Sequence, residues 1–122
     1  MQQAQAAIIL LAHGSRDPLW RAPIEAVAEH IRTTQPHAAV HCAYMELCPP
    51  TLPEAAAALV DGGAASITVV PLFLGMGKHA REDLPRLVQA LRAAHPGVAF
   101  SVRPAVGEDE RVIALLARMA TE

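Results

Sequence analysis

The chain has 122 residues, enough for one domain and too few for two ordinary ones. Hydrophobic residues make up 52% of it, which supplies a real core and excludes a disordered chain. Aromatic residues are only 3% and the net charge is −2, so the stacking rings and the basic field that nucleic-acid binding needs are both missing. Cys42 and Cys48 are too few for a disulfide framework or a four-cysteine zinc site. The opening residues carry no basic charge, and the apolar run Ala6–Ala12 is too short for a signal peptide or a membrane span. The expectation is a soluble cytoplasmic protein with free thiols.

Ala6–Ala12 is continuously apolar, as a strand covered on both faces should be. Ile24, Val27, Ala28 and Ile31 then follow helical spacing, and Pro36 stops that helix. Val40–Met45 reads as a second strand. Thr51 and Glu54 form a capping-box pattern with Pro53 in the first turn, and Gly62 and Gly63 close the helix. Ser66–Phe73 is rich in β-branched residues and is the strongest strand; Pro71 limits its ladder.

Asp83 reads as the cap of a third helix carrying Leu84, Leu87, Val88 and Leu91, which runs to His95. Val98–Val102 is a fourth strand. Glu108, Asp109 and Glu110 give the last helix an acidic first turn, with Val112, Ile113, Leu116 and Met119 expected on its buried side. Strands and helices alternate, which predicts an α/β fold in three layers, a four-stranded parallel sheet flanked by helices on both faces.

Ligands bind outside the C-terminal ends of the strands in such sheets. Three of those ends carry His13, Glu46 and His79. An imidazole there can hold a metal or move a proton, and His13 can equally cap its own loop. Glu46 is open to three readings: a third ligand, a proton acceptor, or a solvated loop acid. Asp83, four residues after His79, can cap the helix, hold the other ring nitrogen of His79, or do both. Ser15, Arg16, Lys78 and Arg81 flank the two histidines, and the three cations would suit a polyanionic ligand. Cys48 and Cys42 read as inert thiols, His30, His37, His41 and His95 as surface residues, and Met76 as loop packing. No dinucleotide fingerprint, P-loop or Gly-x-Ser-x-Gly elbow is present.

Three segments together carry a family likeness. They are Leu10-Leu11-Ala12-His13-Gly14-Ser15-Arg16-Asp17-Pro18, Glu46 with Pro49, and Val70-Pro71-Leu72-Phe73-Leu74-Gly75 followed by Gly77, His79 and Asp83-Leu84-Pro85. The chain resembles the CbiX branch of the class II chelatases along nearly its whole length, residues 1–122 making a single chelatase-like domain. The resemblance implies ATP-independent insertion of Co²⁺ into a sirohydrochlorin-like tetrapyrrole, as in cobalamin (vitamin B12) biosynthesis. The metal is a substrate on this reading and no organic cofactor is needed. It implies that His13 and His79 hold the metal and that Glu46 fills the family's acidic position. Arg21 departs from the asparagine that many members carry eight residues after the first histidine. Longer chelatases resemble two such lobes in one chain, so a single lobe implies a homodimer with the cleft between copies. The competing readings are a metal carrier without turnover, a ferrochelatase serving siroheme, and a phosphoryl-transfer enzyme with His13 as nucleophile.

Overall fold

A computed structural model describes residues 5–122. The elements run β1 Gln5–Ala12, α1 Ala22–Thr34, β2 Ala39–Tyr44, α2 Leu52–Asp61, β3 Ala64–Pro71, α3 Lys78–Ala94, β4 Ala99–Val102 and α4 Glu110–Thr121. Short 3-10 turns precede α1 (Pro18–Arg21) and α4 (Val106–Glu108). All strand pairings are parallel and the order is β2-β1-β3-β4. The expected α/β architecture is present, and every predicted strand forms within two residues of its expected bounds.

Both faces of β1 are apolar because both are covered. Ala7, Ile9 and Leu11 join the main core with residues of α2 and α3, whereas Leu10 packs with Ala28 of α1 and Val40 on the opposite face. Right-handed crossovers require this split. The chain steps from β1 outward to β2, then reverses across β1 to β3 and continues to β4, so α1 lies on one face and α2 and α3 on the other. The reversal leaves a topological switch point between β1 and β3, whose C-terminal edge is where open α/β sheets take their ligands.

Two helix expectations need correction. Asp83 does not cap α3: the helix starts at Lys78 after an extended Gly77, and Pro85 lies inside it. Asp83-Leu84-Pro85 resembles a helix start because proline suits a first turn, but here packing of Ala80, Leu84, Val88 and Leu91 carries the helix through its proline. The second correction concerns α4. Its apolar side is not buried: Ile113, Leu115, Leu116 and Met119 are 40–61% exposed, and only Val112 is partly covered. The helix packs on the 3-10 turn that precedes it and leaves a groove of about 560 Å³ between α1 and its own start, floored by Ile8, Leu10, Val70 and Leu72.

The capping box of α2 forms as expected. The Thr51 hydroxyl accepts from the Glu54 N–H at 3.3 Å, and the Glu54 carboxylate accepts from the Thr51 N–H at 2.9 Å. These bonds hold the Glu54 carboxyl below its ordinary value. A carboxylate with a depressed folded-state pKa adds stability above its unfolded pKa and loses it as the pH falls. Thr51→Ala is therefore expected to cost about 1 kcal/mol at neutral pH in urea unfolding. The part that the Glu54 carboxylate contributes should be lost below about pH 4 in wild type and variant alike, because its main donor, the backbone N–H of residue 51, survives the substitution.

Candidate functional site

His13 directly follows β1, and its position is fixed by the backbone. The β1–β2 ladder continues past the strand ends: Met45 N–H donates to the Ala12 carbonyl at 2.9 Å and Glu46 N–H to the His13 carbonyl at 3.0 Å. Gly14, at φ +108°, lets the two loops close on each other; a Cβ there would collide with the Glu46 carbonyl. His13 and Glu46 are thus brought together. Beyond them the Cys48 N–H donates to the Glu46 carbonyl at 2.9 Å around Leu47, whose φ is +70°. That is a three-residue turn of the strained positive-φ kind, held next to a candidate functional carboxylate.

The β3 side is built the same way. Leu72 N–H donates to the Leu11 carbonyl at 2.7 Å, which carries the β1–β3 pairing beyond Pro71. Phe73 is buried, and its ring stacks on the His13 imidazole with centroids 4.2 Å apart and planes at 30°. The Phe73 carbonyl accepts from the Gly107 N–H at 2.9 Å, and a Cβ on Gly107 would collide with the Leu74 carbonyl. His79 lies in the first turn of α3 rather than in a loop, with Lys78 before it and Arg81 one bond beyond Ala80. His13 and His79 therefore follow the two strands that border the switch point, and Glu46 flanks His13 from the β2 side.

All three side chains are exposed at this edge. Among the described residues no three His, Cys, Asp or Glu side chains gather into a metal cage. No ring nitrogen of His13 or His79 has a protein hydrogen-bond partner among the described residues, and Asp83, one turn along α3 from His79, makes no bond to it. Arg16, Lys78 and Arg81 form no ion pair within the described residues and remain available to an anion. Ser15 Oγ accepts from the Asp17 N–H at 3.1 Å, which shapes the loop and leaves the hydroxyl proton free to donate.

Several residues lie away from this edge. Cys42 is half-buried on the α1 side, its thiol 3.9 Å from the Ile24 carbonyl, and burial pushes it above its ordinary pKa. Tyr44 is buried, and its hydroxyl has no partner among the described residues. Burial first, then the neighbouring Cys42, Glu25 and Cys48, push it up to about 12, so it stays a neutral phenol. Arg21 ends the 3-10 turn before α1 and lines a groove with Glu25, Cys42 and Tyr44. Met76 packs against the main core as expected.

The CbiX family model matches residues 7–122. The sirohydrochlorin cobaltochelatase of Methanopyrus kandleri is 38% identical over 82 residues, which are 67% of this chain and 57% of that protein. The chain's match thus spans less than two thirds of that relative's length. The sirohydrochlorin cobaltochelatase of Saccharolobus solfataricus is 30% identical over 121 residues, covering 94% of this chain and 93% of its own. Among solved structures, the CbiX protein of Marinobacter aquaeolei VT8 superposes with a TM-score of 0.82 at 36% identity, over 95% of this chain and 94% of that one. The chelatase SirB of Bacillus subtilis subspecies spizizenii, in complex with cobalt, gives 0.80 at 30% identity over 96% of this chain and 50% of its own.

Gly14→Ala tests the junction that sets His13 against Glu46. The added methyl meets backbone on both counts of angle and space, so unfolding free energy is expected to fall by about 2 kcal/mol or more. Wild-type stability in a denaturant titration would contradict the close approach. By the span and depth of these matches, the chain belongs to the CbiX family.

Proposed function

We propose that this chain is an ATP-independent chelatase that inserts Co²⁺ into sirohydrochlorin or a closely related tetrapyrrole, acting in the cytoplasm as a homodimer. The observation that carries the reading is the placement of His13 and His79 after β1 and β3, on the two sides of the switch point, with Arg16, Lys78 and Arg81 close to them in sequence and in no ion pair among the described residues. The activity follows the names of the matched relatives.

The chemistry exchanges one divalent ion for two pyrrole N–H protons, and nothing is oxidised or reduced. His13 and His79 take the hydrated ion through neutral imidazole nitrogens, replacing water, and present it to one face of the macrocycle. Imidazole accepts Co²⁺, Fe²⁺ and Ni²⁺ alike, so the donor set does not by itself select the metal. Glu46, fixed beside His13, accepts a proton as the ion enters, and an imidazole released by the metal accepts the other. Arg16, Lys78 and Arg81 pair with the peripheral carboxylates of the macrocycle, and Ser15 donates to one of them. Asp83, one helical turn from His79, makes no bond to it and takes no part in the step.

The homodimer reading rests on two facts. One lobe matches half of the SirB chain, and the apolar side of α4 is uncovered here. A second copy that covers Ile113, Leu116 and Met119 would bury this surface and set two histidine edges across one cleft.

The test is an anaerobic absorbance assay of sirohydrochlorin with Co²⁺, Fe²⁺ or Ni²⁺ and catalytic protein, corrected for spontaneous insertion. Many turnovers with Co²⁺ are expected. His13→Ala and His79→Ala should each lose roughly a hundredfold or more in kcat/KM while remaining folded. Leu116→Asp should give a monomer by light scattering, with turnover lost. A burst of one equivalent would convert the reading to a metal carrier, and retained turnover in His79→Ala would overturn the assigned site.

A further inference from the structure

We infer that Phe73 is the positioning residue for His13, and that its ring face takes the place of the hydrogen-bonded partner that ordinarily orients a metal-binding histidine. This rests on the reading of His13 as a holder of the substrate ion.

The geometry is specific. The His13 ring lies on the Phe73 ring at 4.2 Å, and neither of its nitrogens has a protein hydrogen-bond partner among the described residues. A stack grips an imidazole by its face, so both nitrogens, which lie in the ring plane, stay open to metal or proton. A resident metal site commonly works differently. There the second nitrogen donates to a carboxylate or carbonyl, which fixes the tautomer, strengthens the ligand and tightens the metal. A chelatase has the opposite need, because the ion must leave for the macrocycle in each cycle. Stacking orients His13 without adding that basicity.

Phe73 itself is well held. It is 2% exposed, lies in the main core, and its carbonyl accepts from the Gly107 N–H at 2.9 Å. Just before it, Leu72 N–H donates to the Leu11 carbonyl at 2.7 Å. The ring is thus fixed to the core on one side and offers its other face to the loop of β1. His79 has no aromatic ring against it among the described residues, so the two histidines differ: one held by a ring face, the other carried on a helix.

The experiment joins Co²⁺ binding with steady-state insertion. Phe73→Leu, which keeps an apolar side chain of similar bulk, should raise both the Kd for Co²⁺ alone, by titration calorimetry, and the KM for Co²⁺ by roughly two- to tenfold. The KM for sirohydrochlorin should stay as in wild type, and Phe73→Tyr, which restores a ring, should recover most of the Co²⁺ affinity. Wild-type Co²⁺ affinity in Phe73→Leu, with affinity lost in His13→Ala, would overturn the positioning role alone. Wild-type affinity in His13→Ala would overturn the reading beneath it. If Phe73→Leu does not fold, proton NMR of the wild type decides. The His13 ring protons, assigned by their loss in His13→Ala, should lie upfield of those of His30, His37, His41 and His79; shifts in the range of those four would overturn the stack.

Discussion

The site depends on how far the sheet's pairing outlasts its strands. Met45 and Glu46 donate to Ala12 and His13, and Leu72 donates to Leu11, so β1 stays bonded to a neighbour on each side where the loops begin. The loop bearing His13 is therefore an extension of the ladder and not a free connection. Gly14 completes the constraint on one side, because only a residue without a Cβ lets the Glu46 carbonyl approach. Gly107 does the same on the other side for the Leu74 carbonyl, behind Phe73. The exposed candidate side chains are thus mounted on a rigid frame, with the strain at Leu47 retained by the bonds around it.

Much of this was legible in the sequence. An apolar run such as Ala6–Ala12 allows little but a doubly covered strand, and strand–helix alternation then forces parallel pairing. Open parallel sheets take ligands at the C-terminal strand ends, which singles out His13, Glu46 and His79 as candidates, and the structure sets all three at that edge. The capping box at Thr51 and Glu54 was equally plain, since both bonds are local. What failed depended on tertiary packing. Pro85 resembles a helix start, and only the burial of Ala80 and Leu84 reveals that α3 already began at Lys78. The stack of Phe73 on His13 joins residues far apart in the chain, and no local pattern announces it.

The disagreement over α4 is of another kind. Its apolar stripe at Ile113, Leu116 and Met119 has the spacing of a buried helix face, yet that face is open in one copy. Periodicity reports that a face is to be covered; it does not say by what. A lobe that matches half of a longer relative, and carries an open apolar helix, is consistent with the proposed second copy. The proposed second copy would likewise face the open histidine edge, each lobe then supplying one wall of a cleft.

The proposed function requires that His13 and His79, bordering the switch point between β1 and β3, together receive the metal. Anomalous diffraction at the cobalt edge, from crystals of the protein soaked in Co²⁺, tests it most directly. A principal peak is expected at coordination distance from both imidazoles, in the plane of the His13 ring that Phe73 holds. A principal peak at Cys42, Cys48 or elsewhere on the surface, with both imidazoles free of metal, would contradict it.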